Sequence, residues 1–194
     1  MVDMAATHPL DQFFAEREPH SGDGVTIRII TGRGIAQVFA TKQKVKSVEG
    51  VLKIKQTPGQ ASVTPTHTGL PISPRQWILV SAEKEDGPGF STQLQRKLGK
   101  NGYVSEQSDS RVIFNLSGPR VVELMQKGCR LDLHPSVTGP NWCGQTQIAQ
   151  VSVLIHQLDN LPTYNLYVYS GFARDFAEWL EHTGAQLGIG FLNS

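Results

Sequence analysis

The sequence predicts an α+β fold: a mostly antiparallel sheet with about three short helices segregated on one face. Three observations carry that expectation. Apolar, β-branched runs of strand length recur at 25–30, 77–80, 111–116 and 151–155. Helical spacing of apolar residues is confined to windows near 90–98, 121–125 and 172–180. Finally, 19 Gly and 11 Pro interrupt the 194 residues too often for long helices.

In chain order, residues 1–24 are polar and broken by Pro9, Pro19, Gly22 and Gly24. With only Leu10, Phe13 and Phe14 as apolar anchors, they read as an extended arm of the kind that docks on a partner. Residues 25–30 and 35–40 flank Thr31-Gly32-Arg33-Gly34, the composition of a hairpin turn. Lysines at 42, 44 and 46, and again at 53 and 55, recur by two, which places each set on one face of an extended strand. Such a face is solvated, protects an edge, or meets a partner. Residues 57–74, with Pro58, Pro65, Pro71 and Pro74, read mostly as loop, so 25–74 forms a strand-rich, turn-broken subregion.

Residues 75–184 read as the main α+β domain. Trp77-Ile78-Leu79-Val80 is a strand buried on both faces. Phe90, Leu94 and Leu98 recur by four before Gly99, a short amphipathic helix with a glycine stop. Strands follow at 103–104 and 111–116. Pro119 then opens a second helix, whose Val121, Val122, Leu124 and Met125 precede Gly128. After a loop over 129–144, residues 145–158 read as one strand, turned back by 159–162 into 164–169. A last helix carries Phe172, Phe176, Trp179 and Leu180 opposite Arg174, Asp175, Glu178 and Glu181, and stops at Gly184. Residues 185–194 read as a tail.

Composition excludes several roles. With 18 Lys and Arg against 17 Asp and Glu, the net charge of +1 lacks the basic excess that binds phosphate backbones, so nucleic acid is not expected. No run approaches the ~20 apolar residues of a membrane helix, and the N-terminus lacks a signal pattern. Two cysteines are too few for a disulfide framework, which points to a reduced, cytoplasmic protein.

The chemical motifs are weak. No glycine-rich turn joins a strand to a helix, no Walker sequence occurs, and there is no Gly-x-Ser-x-Gly. Cys129, His134, Cys143 and His156 carry zinc-ligating atoms without the close Cys pairing of structural sites. Small buried cysteines explain them more simply. A Cys/His nucleophile would need a cysteine beside a histidine in a cleft, with a depressed thiol pKa. Tyr164 lies on one strand face, Tyr167 and Tyr169 on the other, an excess of aromatics that suggests an outer face covered by a partner.

The run Gly128-Cys129-Arg130-Leu131-Asp132-Leu133-His134-Pro135 is the most distinctive stretch. With Cys143-Gly144-Gln145-Thr146-Gln147-Ile148-Ala149 and with 170–180, including Arg174, it resembles the gamma subunit of heterotetrameric sarcosine oxidase over roughly residues 70–184. The family in turn is similar to part of the aminomethyltransferase fold of the glycine-cleavage T-protein, a ferredoxin-like half. The resemblance implies an accessory, non-catalytic subunit of a complex that oxidatively demethylates sarcosine to glycine. It implies alpha, beta and delta subunits as partners, chiefly alpha. FAD, FMN, NAD, tetrahydrofolate and zinc would belong to those partners, and no cofactor to this chain.

The signature residues Cys129, Leu131, Asp132, His134, Pro135 and Cys143, with Tyr167, Tyr169 and Arg174, are the candidate interface set. Where the aminomethyltransferases carry an acidic pair used with folate, the comparable stretch here, Ile148-Ala149-Gln150-Val151-Ser152, has no carboxylate. Asp132, between two leucines, reads as a structural acceptor of backbone N–H groups. The alternative is a stand-alone folate-binding, one-carbon transfer protein.

Overall fold

The structure, a computed structural model, describes residues 8–192. In chain order these form α1 (Asp11–Ala15), β1 (Val25–Ile30), β2 (Arg33–Ala40), α2 (Val45–Leu52), β3 (Ser62–Val63), β4 (His67–Ser73), β5 (Gln76–Lys84), α3 (Gly87–Leu98), β6 (Gly102–Glu106), β7 (Arg111–Ser117), α4 (Val121–Gln126), β8 (Cys143–Ile148), β9 (Val151–Gln157), β10 (Tyr164–Tyr169), α5 (Ala173–Gly184) and β11 (Ile189–Leu192). The fold is α+β, with two sheets face to face. A six-stranded sheet has the order β11-β1-β7-β10-β9-β8, and a five-stranded sheet the order β3-β4-β5-β2-β6. Every pairing is antiparallel except β1 with β11.

Helices cover both outer sides, not one face of a single sheet. Val121, Leu124, Phe176 and Leu180 of α4 and α5 pack with Ile27, Phe114 and Leu166 on the larger sheet. Val48, Leu52, Phe90 and Leu94 of α2 and α3 pack with Val38, Trp77 and Leu79 on the smaller one. Between the sheets lie Ile35, Leu70, Ile78, Val80, Ile113, Leu154 and Tyr167. The alternation along β5 explains its unbroken apolar run: Trp77 and Leu79 face the helices, Ile78 and Val80 the other sheet.

The α3 helix forms where expected. Asp86 caps it by accepting the Gly89 N–H at 2.5 Å, Pro88 occupies the first turn, and Gly99 (φ +53°) ends it.

Five segments depart from the sequence reading. Residues 8–24 are not an extended arm: α1 buries Leu10 and Phe13, whose ring meets Phe191 at 5.2 Å. The Arg17 guanidinium grips Glu181 through Nε and Nη2, at 2.7 and 2.8 Å. Residues 1–7 of the expected arm lie outside the described residues.

Within the lysine-bearing stretch, Val45–Leu52 forms α2 rather than a strand, with Lys44 and Lys53 at its caps, because the apolar period decides burial. Val45, Val48 and Leu52 fall on one helical face and two of them are buried, while the lysine period only marks solvent. In the stretch read as loop, β4 pairs with β5 along its length. Pro71 is tolerated there because β3 reaches only Thr68 and Gly69 on the opposite side.

Residues 145–158 are two strands, not one. Ala149 (φ +51°) and Gln150 (φ +68°) make a tight turn with two left-handed residues and no glycine, so the usual turn signal is missing. The tail also contains β11, which adds to the larger sheet beside β1. There Gly190 lets the N-terminal segment approach closely: a Cβ on it would stand 2.4 Å from the Gly22 nitrogen.

Candidate functional site

The inward face of the larger sheet is organised in three transverse rows, read from strand register. The middle row, Ile30, Ile113, Tyr167, Leu154 and Gln145, is apolar except at its end. On one side runs a polar row of Arg28, Asn115, Asn165, His156 and Cys143. On the other side are Arg111 paired with Tyr169, and Ser152 paired with Gln147. The sheets therefore grip each other through a narrow apolar band, and at the Arg111 end they part into a polar mouth.

The same change occurs on strand after strand. Inward-facing residues pass from buried to more exposed as Ile113 gives way to Arg111, Tyr167 to Tyr169, Leu154 to Ser152, Ile78 to Gln76 and Ile35 to Gln37. This mouth is a cleft of about 340 Å³ lined by Gln37, Ile72, Arg111, Gln145, Ser152 and Tyr169 among others. Gln145 spans it, donating to the Ile72 carbonyl at 2.7 Å. Arg111 also borders a neighbouring cleft of about 550 Å³, which contains Arg33, Glu85, Asp86 and Asp109.

The Arg111 guanidinium carbon lies 4.2 Å from the Tyr169 ring centroid, and Nη2 donates to the Tyr169 hydroxyl at 3.0 Å. Its Nε is out of reach of solvent and has no acceptor among the described residues.

The candidate residues from the sequence fall into separate places. Cys129 is buried after α4, its backbone bridging to Ile148. The preceding Gly128 lies under an indole: a Cβ there would meet the Trp179 ring at 2.6 Å. Leu131 packs half-buried against the helical core, and Pro135 is exposed in the loop. The exposed Asp132 carboxylate accepts the His134 N–H at 2.9 Å, which fixes that turn. His134 Nδ1 accepts the Ser136 N–H at 3.2 Å, so the Ser136 hydroxyl, 2.7 Å away, donates to it as well. Arg174 lies on α5, ion-paired with Glu178 at 2.9 Å and donating to Gln12 at 3.0 Å.

Tyr167 is covered, but by the five-stranded sheet of its own chain. Burial pushes its phenol pKa up. The inference of a partner over that face is thereby corrected for Tyr167. Tyr169, at the mouth, stays 42% exposed.

Cys143 and His156 are the one Cys/His pair the fold brings opposite each other, on β8 and β9. Both are buried, and neither His156 ring nitrogen has a partner among the described residues. Burial pushes the Cys143 thiol up to about 11 and the His156 imidazole down to about 4. A nucleophilic pair needs thiolate beside imidazolium; this pair is neutral on both sides. Among the described residues, no group of three or more His, Cys, Asp or Glu is placed to hold a metal ion.

Sequence reasoning missed Arg111, Gln37 and Gln145. Their signal was a polar residue two positions beyond a buried apolar one on each strand, visible only once the register aligns the strands.

Comparison with known proteins agrees with this architecture. The gamma subunit of sarcosine oxidase from Corynebacterium sp. (strain U-96) is 26% identical over 171 residues, 79% of this chain and 78% of that one. The gamma subunit from Arthrobacter sp. is 29% identical over 151 residues, 68% of this chain and 69% of its own. A chain of the solved heterotetrameric sarcosine oxidase from Corynebacterium sp. U-96 superposes with a TM-score of 0.82 at 21% identity, covering 94% of this chain and 96% of that chain. The glycine cleavage system aminomethyltransferase T from Bartonella henselae shares the fold, with a TM-score of 0.68 at 15% identity over 89% of this chain. That match spans 49% of the transferase, about half of it. Residues 32–186 match the sarcosine oxidase, gamma subunit family, and the chain belongs to that family.

Proposed function

We propose that this chain is the accessory subunit of a heterotetrameric sarcosine oxidase and that its role is assembly rather than chemistry. In this reading it docks on alpha, beta and delta subunits, chiefly alpha, in the cytoplasm. Sarcosine is oxidatively demethylated to glycine on the partners, which hold FAD, FMN, NAD, tetrahydrofolate and zinc. The observation that carries the reading is the family match over residues 32–186. The neutral, buried Cys143–His156 pair supports its non-catalytic part, because the cysteine and histidine that the fold sets opposite each other are both held in their unreactive forms. The test is co-expression with the alpha, beta and delta subunits and purification through a tag on alpha. This chain is expected to co-purify in stoichiometric amount; a chain that stays monodisperse and never associates would overturn the reading.

A stand-alone folate-binding protein is the second reading, favoured by the fold shared with the aminomethyltransferase. Tetrahydrofolate titrated into the isolated chain would then raise its Tm, since a ligand that binds only the folded state stabilises it. The expected result is no shift.

A further inference from the structure

We infer that the mouth between the sheets seats a carboxylate-bearing segment of a partner subunit, with Arg111 as its anchor. The inference rests on the assembly reading above and says where that contact lies.

Three features converge on it. Arg111 is the one charged residue lining the smaller cleft, whose other polar members, such as Gln37, Gln145, Gln147 and Ser152, are neutral. The complement of that surface is therefore negative. Further, Arg17, Arg120 and Arg174 each hold a glutamate at 2.7–2.9 Å, whereas Arg111 has no carboxylate within ion-pairing distance among the described residues. The Tyr169 ring and hydroxyl fix the plane of the Arg111 guanidinium. A guanidinium oriented in this way, with no carboxylate of the described residues beside it, is prepared for an acceptor from outside. Finally, the strand end that carries Arg111 is flanked by exposed aromatics, Tyr169 at 42% and, three residues on, Phe172 at 53%. Arginine and tyrosine, both in the lining of this cleft, are among the side chains enriched at the hot spots of protein interfaces. The glutamine amides around them can meet the backbone of an extended segment, and the carboxylate is an Asp, a Glu or a chain terminus.

The test uses the co-expressed complex. Arg111→Glu is expected to weaken association of this chain with its partners at least tenfold, and Arg111→Lys, which keeps the charge but loses the planar stack, by less. Arg28→Glu makes the same change of charge on the opposite polar row and is expected to stay within twofold of wild type. Melting of each isolated variant reports whether it folds, and Arg111→Lys carries the test if Arg111→Glu does not. Should the wild-type chain associate and the Arg111 variants associate equally well, this assignment falls and the assembly reading stands. If the wild-type chain does not associate at all, both fall. Saturable binding of acetate to the isolated chain, with complexes of the Arg111 variants intact, would make the mouth a small-anion site and overturn the assignment.

Discussion

Cys143 and His156 face each other across the β8–β9 ladder, and burial drives their pKa values apart, the thiol to about 11 and the imidazole to about 4. Both are neutral at physiological pH, which makes them a packing pair and gives the chain a weakness to acid.

The imidazole sets the sign of that weakness. The folded-state pKa of His156 lies below the usual histidine value of 6.5, so the unfolded chain binds the proton more tightly. Stability from this group is complete above pH 6.5 and is lost as pH falls toward 4. Between pH 7 and 5 the loss is about 2 kcal/mol. His8 and His67, also lowered by burial, push the same way. His156→Leu should flatten the acid side of the curve of unfolding free energy against pH; an unchanged slope would refute the assignment.

The thiol should be inert. In a Cys129→Ala background, modification of Cys143 by a thiol reagent at pH 8 is expected to run at least 100-fold slower than in the urea-unfolded chain, since only about one thiol in a thousand is ionised and the group is buried. Rapid labelling of the native chain would reopen the nucleophile reading.

Gln95 guards a sheet edge. Its amide accepts the Val104 N–H at 2.9 Å and donates to the Gly102 carbonyl at 3.2 Å, occupying groups of β6 that a further strand would otherwise take. Gln95→Ala should cost about 1 kcal/mol and increase light scattering at high concentration. A variant that is as soluble as wild type would show that the edge needs no guard.

The N-terminal segment is structural. Phe13→Ala should destabilise the isolated chain by about 3–5 kcal/mol, as for a buried core aromatic, and Arg17→Ala by less, because the ion pair with Glu181 is partly solvated. Loss of partner binding without loss of stability would instead restore the docking arm.

Most strands and all three expected helices were legible because their signals are local: the doubly buried run at Trp77–Val80, the i, i+4 spacing of Phe90, Leu94 and Leu98, and the glycine stops. The failures share a cause. Where polar and apolar periods compete, as around Val45, Val48 and Leu52, reading the lysines gives a strand and reading the apolar residues gives the helix that forms. The Ala149-Gln150 turn carries no glycine because the ladder on either side enforces it. Leu10, Phe13 and Phe191 are buried only by one another and by elements far away in the chain. The mouth at Arg111 was hidden for a similar reason: β7 and β10 each carry a local strand signal, but the row they form with β8 and β9 exists only after the sheets assemble.

The most direct test of the assembly account is the turnover of a complex rebuilt with this chain carrying Asp132→Asn, His134→Ala and Cys143→Ala together. An assembly subunit predicts kcat for sarcosine demethylation, per assembled complex, within twofold of wild type. A fall of about a hundredfold or more with the complex intact, the size expected for loss of a general acid or base, would contradict it.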